Sequence, residues 1–479
     1  MPVSACEANF AEEQKVLSMN DQKRVSEPLN MTIPPAGMSR RTFIQLASAA
    51  GILTSAGLYG CGNSPRSVSG KIVIVGGGAA GLSMAALLKR WIDDPDITLI
   101  DPSARQFYQP GFTLIASGVY KPEDVWKSQE DCIPEGINWV RDEVVAIDPV
   151  HNMMVSRKNG RIGYDFLVLT PGLQINWNAV EGITRETLGE GNAHSIYDFE
   201  GAIRTWPAMS RFAEKGGKGI FTDTYTKHKC GGAPKKICLL TDDLSRKKNS
   251  REKLSLQFYT ASKALYDIPY FTPRLEEIYK ERDIPVSTKV RVKGIDTLTR
   301  KAYLDRYETV EGETVITSFT EDYDFLHFTP PMSAPDFVRE AGLSWAEGSM
   351  AAEGWVMVDK ETLVHSVYRN IVCLGDCAGI PTSKTSAAIR KQVPVAAKNL
   401  ISLMEGKEPE EKYNGYAACP IITGYGKVLL CEFDYEKQPK ITFPFSMLDM
   451  SKEQAAAWFM KVYLLKPVYF YGMLNGYLL

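Results

Sequence analysis

Two cysteines stand in surroundings suited to sulfur chemistry. Cys230 lies in Lys229-Cys230-Gly231-Gly232-Ala233-Pro234-Lys235-Lys236, and Cys377 in Gly375-Asp376-Cys377-Ala378-Gly379, with Lys384 seven residues on. Lys229, Lys235 and Lys384 place positive charge where it favours thiolate, the nucleophilic form of cysteine. A second group of residues has the spacing to hold phosphates. Gly76-Gly77-Gly78-Ala79-Ala80-Gly81 satisfies G-x-G-x-x-G, and Asp101 follows 20 residues after Gly81. In this pattern Gly76 makes a tight turn, Gly78 lets backbone approach a pyrophosphate, and Gly81 lets a helix pack closely on its strand. The acid then accepts from a ribose hydroxyl.

These residues need particular elements to position them. Lys71–Val75 is a β-branched run that reads as a buried parallel strand, and Leu82–Arg90 reads as a helix. Ile97–Ile100 is a second strand ending at Asp101. Strand, loop, helix, strand and acid in register make a specific dinucleotide signature, where the glycines alone would be a weak one. Phe166–Gly172 and Asn370–Asp376 are two further strands, the first ending in a tight turn at Gly172 and the second in Gly-Asp.

These last two stretches resemble the later signatures of flavoproteins built from two dinucleotide-binding domains. The resemblance implies FAD in the first glycine-rich loop and a ribityl contact from Asp376. It also implies that a helix from about Ser386 to Leu400 points its positive end at the flavin. Such proteins carry a second glycine-rich loop for NAD(P)H. Here the corresponding strand, Gly219–Thr222, runs into Asp223-Thr224-Tyr225, with no G-x-G-x-x-G. An acid and a bulky ring stand where a pyrophosphate needs bare backbone, so the electrons are expected from another donor.

The segments around Cys230 and Cys377 narrow the resemblance. With Phe107-Tyr108-Gln109-Pro110, Leu326–Ser333 and Tyr413–Phe445, which contains Cys-Pro-Ile-Ile-Thr-Gly-Tyr, they resemble the sulfide:quinone oxidoreductases of the mitochondrial type from about residue 70 onward. Thr170 stands where that family usually has Ala. The resemblance implies that Cys230 and Cys377 form the redox pair, that sulfide leaves as sulfane sulfur on a small acceptor, and that FAD passes electrons to quinone. Gly76, Gly78, Gly81, Asp101, Gly172, Asp376 and Lys384 are the implied FAD contacts. A flavocytochrome-type sulfide dehydrogenase subunit and a non-enzymatic lipoprotein keeping this fold are the rival readings.

The expected architecture is α/β: two Rossmann-like domains and an amphipathic C-terminal membrane-associated segment. The expected boundaries are 70–192 with 326–418 for FAD, 193–325 for the second domain lacking an NAD loop, and 419–479 for quinone and membrane. From Val462 to Leu479 the only charge is Lys466 and aromatics are dense. Ser451 with Gln454 reads as a capping box, and Pro467 as a break between two short interfacial helices. Residues 1–61 read as an extension and export signal. Arg40-Arg41 precedes a short apolar run, and Leu58-Tyr59-Gly60-Cys61 resembles a lipoprotein cleavage box. This predicts a protein on the outer face of the cytoplasmic membrane, with Cys61 a candidate lipid anchor and Met1 or Met38 the start.

Composition narrows the rest. In 479 residues, 55 Lys and Arg balance 57 Asp and Glu, which argues against a nucleic-acid partner. Nine cysteines are too few for a disulfide scaffold. No cysteine and histidine spacing fits zinc, so no metal is expected. Cys238 and Cys373 read as core residues in apolar strands, and Cys419 and Cys431 as packing residues. The run Arg246, Lys247, Lys248, Arg251 and Lys253 reads as a solvated loop. His228 has the position to tune Cys230. A homo-oligomer is compatible with this composition.

Overall fold

The computed structural model describes residues 65–477 and Leu479. The segment read as an export signal, with Arg40, Arg41 and Cys61, lies outside them. In chain order the elements that position the site begin with β1 (Ile72–Val75), α1 (Ala79–Trp91), β2 (Ile97–Ile100), β3 (Asn138–Val140) and β4 (Phe166–Leu169). Next come β5 (Ala193–His194), α2 (Phe199–Lys215), β6 (Gly217–Thr222), α3 (Ala233–Lys247), β7 (Leu254–Tyr259), β8 (Val286–Ser287) and β9 (Phe325–His327). Then follow β10 (Ile371–Cys373), α4 (Ser386–Met404), β11 (Ala417–Gly424) and β12 (Lys427–Phe433).

The strands form two five-stranded parallel sheets, in the orders β10-β4-β1-β2-β3 and β5-β9-β6-β7-β8. β1 and β2 are buried along their whole length, as continuous β-branched and Leu runs are when both faces of a parallel sheet are covered. One apolar core surrounds the first sheet, and a second joins β6, β7 and α3 to the β11–β12 hairpin. β9 pairs with β5 and β6. Residues 326 and 327, expected in the FAD domain, therefore sit in the second sheet. A three-stranded antiparallel sheet, Val290–Asp296, Lys301–Val310 and Glu313–Asp322, extends from that domain.

The tail corrects the expectation. Helical backbone starts at Ala455, with Gln454 at its cap, so Ser451 is not a capping residue; its hydroxyl bonds Asp449 instead. From Ala455 to Asn475 the backbone stays helical through Pro467, with wider turns at Met460–Leu464 and Val468–Gly472. Wider turns absorb the missing proline N–H. Much of this helix is packed into the body. Trp458, Val462, Tyr469, Phe470, Met473 and Leu474 are buried. Tyr120 donates to the Val462 carbonyl, Tyr469 donates to the Phe107 carbonyl at 3.1 Å, and Lys461 donates to the Pro110 carbonyl at 3.1 Å. Two separate interfacial helices are therefore not formed. Among the described residues no helix is long and apolar enough to cross a membrane.

The basic run is solvent-exposed at Arg246, Lys247, Lys248 and Lys253, as expected, but it begins on the last turn of α3 instead of forming a loop. Arg246 and Arg251 converge with Arg282 on the fully buried Asp242 carboxylate, at 2.9, 2.6 and 3.3 Å, which ties the end of α3 to the following turn.

Candidate active site

The glycine loop has the shape of a phosphate cradle. Gly76 adopts φ +94°, a conformation that favours glycine. A side chain on Gly81 would collide with the Gly76 carbonyl, whereas nothing lies within 4 Å of the space a Gly78 side chain would occupy. The Asp101 carboxylate accepts from the N–H of Gly77 at 2.6 Å and of Ser103 at 2.7 Å. Burial raises its pKa, and these two bonds oppose the rise. Thr170, the departure from the family pattern, has its hydroxyl 2.9 Å from the carbonyls of both Val75 and Gly76, bracing the loop against β4. Gly172 has φ +76° and also faces open space.

The Gly-Asp turn meets the cysteine loop. The Cys230 N–H donates to the Lys384 carbonyl at 3.1 Å. The Lys384 ammonium donates in turn to the carbonyls of Asp376 and Ala378, at 2.7 and 3.0 Å. Burial raises the pKa of Asp376, with Lys229 and Lys384 opposing. α4 begins just beyond, its first turn capped by Thr385, which accepts from the Ala388 N–H.

The sulfur that faces Cys230 is Cys419. The two Sγ atoms lie 3.7 Å apart across 189 residues. Cys377, expected as the partner, is fully buried in the first domain's core, where its thiol meets that of Cys373 at the end of β10. The geometry therefore brings Cys230 together with Cys419 and not with Cys377. Cys419 is carried by β11, which packs on α3 and pairs with β12 so that Cys419 lies opposite Cys431. Cys238, expected in a strand, lies in α3 and is buried, as Cys373 is in β10.

The surroundings of Cys230 favour its thiolate form. Its pKa is held well below the usual thiol value, first by the hydrogen bond from Cys419 and then, against the cost of burial, by Lys236. The Lys236 ammonium is 3.2 Å from the Cys230 Sγ and 2% exposed. The N-terminus of α3 starts three residues after Cys230, which adds partial positive charge. Cys419 is pushed the other way, by the shared proton and by burial. The expected lysines have other tasks: Lys229 donates to Gln109 Oε1 at 2.8 Å, and Lys235 pairs with Asp223 at 2.6 Å. Cys230 itself has φ +50°, an uncommon backbone state for a residue with a side chain.

The turn after β6, where a second glycine loop would stand, is held by an internal network. Asp223, at the end of β6, is buried and accepts from Lys235, Thr260 Oγ1 and the Ala261 N–H. Tyr225 projects outward with the Arg291 guanidinium 5.0 Å from its ring.

Residues 70–205 match the family model for pyridine nucleotide-disulphide oxidoreductases. The mitochondrial sulfide:quinone oxidoreductase of Mus musculus is 35% identical over 411 residues, 85% of this chain and 87% of the relative. That of Dictyostelium discoideum is 36% identical, over 85% of this chain and 86% of its own. This chain belongs to the sulfide:quinone oxidoreductase family. The fold agrees with the crystal structure of the Aquifex aeolicus sulfide:quinone oxidoreductase, with a TM-score of 0.69 and 23% identity over 85% of this chain and 92% of that one.

The cofactor of this family of enzymes is FAD, and the residues fit it. Gly78 leaves backbone bare, Asp101 stands at the end of β2, and the Gln129 side chain, donating to the Gly77 carbonyl at 2.8 Å, leaves its buried Oε1 without a partner. Sequence reasoning does not find Gln129, or the bracing role of Thr170, because neither stands in the glycine motif.

Proposed function

We propose that this chain oxidises sulfide to sulfane sulfur at the Cys230–Cys419 pair and passes the electrons by way of FAD to a membrane quinone. The observation that carries the reading is the 3.7 Å approach of these two sulfurs beside Lys236. FAD supplies a two-electron acceptor when bound. The chain's own residues set the direction of attack. In the disulfide form, the better leaving sulfur is the one with the lower thiol pKa. That sulfur is Cys230, so sulfide attacks Cys419 Sγ and leaves a persulfide there, while Lys236 takes the thiolate of Cys230. Gly231 and Gly232 keep the approach open, since a side chain on Gly232 would come within 2.6 Å of Cys419 Sγ. Under anaerobic conditions sulfide is expected to bleach the flavin, a short-chain quinone to restore it, and NADH to leave it oxidised, because the network around Asp223 and Lys235 stands where a second glycine loop would be. Bleaching by NADH as fast as by sulfide, or none by sulfide, would refute the reading.

The membrane contact of this proposal lies at the approach to the tail helix. Phe443, Met447 and Leu448 are exposed large apolar side chains within six residues, and Phe459 is exposed on the first turns of the tail helix, apolar surface suited to one leaflet of a bilayer. The outer face of a cytoplasmic membrane is the location we assign it, following the segment read as an export signal. Phe443→Asp with Met447→Asp is expected to abolish flotation with lipid vesicles while sulfide still bleaches the flavin. Equal flotation of variant and parent would move the contact elsewhere.

A further inference from the structure

His228, two residues before Cys230, has one nitrogen that the fold leaves unused. Its Nδ1 lies 3.0 Å from the Thr226 carbonyl, which assigns the proton to Nδ1 and the lone pair to Nε2. Nε2 is buried and has no hydrogen-bond partner. The ring is held edge-on to Tyr197, with centroids 6.3 Å apart at 84°, and Tyr197 donates to the Cys230 carbonyl at 3.3 Å. Apart from its two chain neighbours, Gly231 has His228 as the group nearest the position of its missing side chain. A side chain placed there would find only His228 Nε2 and Cε1 within 4 Å, at 3.6 and 4.0 Å. An orphaned acceptor therefore stands 3.6 Å from the position a Gly231 side chain would take, one residue from the reactive cysteine.

We propose that His228 is a catalytic base that takes the proton of hydrogen sulfide entering beside Gly231. This rests on the sulfide chemistry proposed above and adds the residue that activates the substrate. The step balances without another reactant. One S–H bond of hydrogen sulfide breaks and its proton goes to Nε2. The sulfide sulfur bonds to Cys419 Sγ, and the Cys230–Cys419 bond breaks with its electron pair on Cys230. The sulfide is oxidised to sulfane level, the disulfide is reduced, and the remaining hydrogen stays on the persulfide. Burial lowers the pKa of His228 from its ordinary value, so the ring is neutral and able to accept through the neutral range. The charged and titratable groups facing it are Asp223 at the end of β6, Lys235 on α3, Cys230 in its own loop, and Tyr197 against its ring.

The experiment is stopped-flow bleaching of the FAD-loaded protein by sulfide between about pH 6 and pH 9, for the parent, His228→Gln and His228→Ala. Sulfide is mainly the neutral diprotic acid at the low end of this range and mainly the hydrosulfide anion at the high end. A base matters only while the substrate carries the extra proton, so the loss is expected to be about 30- to 100-fold near pH 6 and to shrink to a few-fold near pH 9. Added imidazole is expected to restore part of the acid-side rate in His228→Ala. Rates that run parallel to the parent's at every pH would overturn the role of His228 while leaving the sulfide reading intact. A parent that is not bleached at any pH would instead remove the sulfide reading. Flavin content and melting temperature of the variants show that each is folded.

Discussion

Cys419→Ser is expected to slow sulfide-driven flavin bleaching by about three orders of magnitude or more, as much as Cys230→Ser. Two sulfurs that exchange one bond act as a unit, so removing either removes the reaction. Cys377→Ser is expected to stay within a few-fold of the parent rate. Its thiol is turned into the first domain's core against Cys373, so replacement brings a hydroxyl into an apolar site and lowers the melting temperature instead. Stopped-flow traces and thermal melts of the three variants separate these outcomes. A Cys377→Ser protein that no longer bleaches, beside a Cys419→Ser protein that does, would restore the pairing expected from the sequence.

The mismatch between that expected pairing and the fold has a physical reason. Cys377 is adjacent to Asp376 in sequence, and adjacency to a cofactor residue suggests exposure to the cofactor. In the fold, the short turn Gly375–Cys377 carries the Cys377 side chain into the core. Cys419 is brought in by a strand pairing that no local pattern announces. Its own neighbours, an apolar run ending at Gly424, are what packing alone would produce. The available signal lies in the stretch itself: Cys419-Pro420-Ile421-Ile422-Thr423-Gly424 is one of the segments that carry the family resemblance.

By contrast, the first dinucleotide unit is legible almost residue by residue. Its determinants are local: a buried strand, a turn that only glycine makes, and an acid at a fixed distance. The loss of the second nucleotide loop is legible for the same reason, although Lys235, expected beside the thiol, turns out to be the partner of Asp223. The tail departs from expectation because aromatic density can serve packing as well as a membrane. Trp458, Tyr469 and Phe470 turn inward, and the Tyr469 hydroxyl finds a carbonyl partner, as buried tyrosines require.

Lys236→Met is expected to raise the pKa of Cys230, so that thiolate appears only at higher pH than in the parent. Lys236 is the ammonium 3.2 Å from the Cys230 Sγ. Burial works against the charge of Lys236, but the sulfurs of Cys230 and Cys419 outweigh it and raise the lysine's pKa, so the cation stays in place beside the thiolate. Met keeps the volume of the side chain in its 2% exposed site and removes only the charge. The sign follows directly. The depressed thiol pKa of Cys230 keeps thiolate present above it, so losing the cation moves the onset of reactivity to higher pH. The measurement is the pH dependence of iodoacetamide alkylation of Cys230 in the reduced protein, read by mass spectrometry alongside the rate of sulfide bleaching. Both curves are expected to shift alkaline together and to recover at high pH. Lys461 is a second cation near the pair, itself brought down to about 7 by burial and by Lys236. With Lys236 gone, its own charge is better tolerated, so part of the lost stabilisation returns through it and the shift is smaller than a lone lysine would give. Lys461→Met combined with Lys236→Met therefore shifts the alkylation curve further than the sum of the two single variants. An unshifted curve in Lys236→Met would mean that the hydrogen bond from Cys419 and the N-terminus of α3 alone hold Cys230 as thiolate.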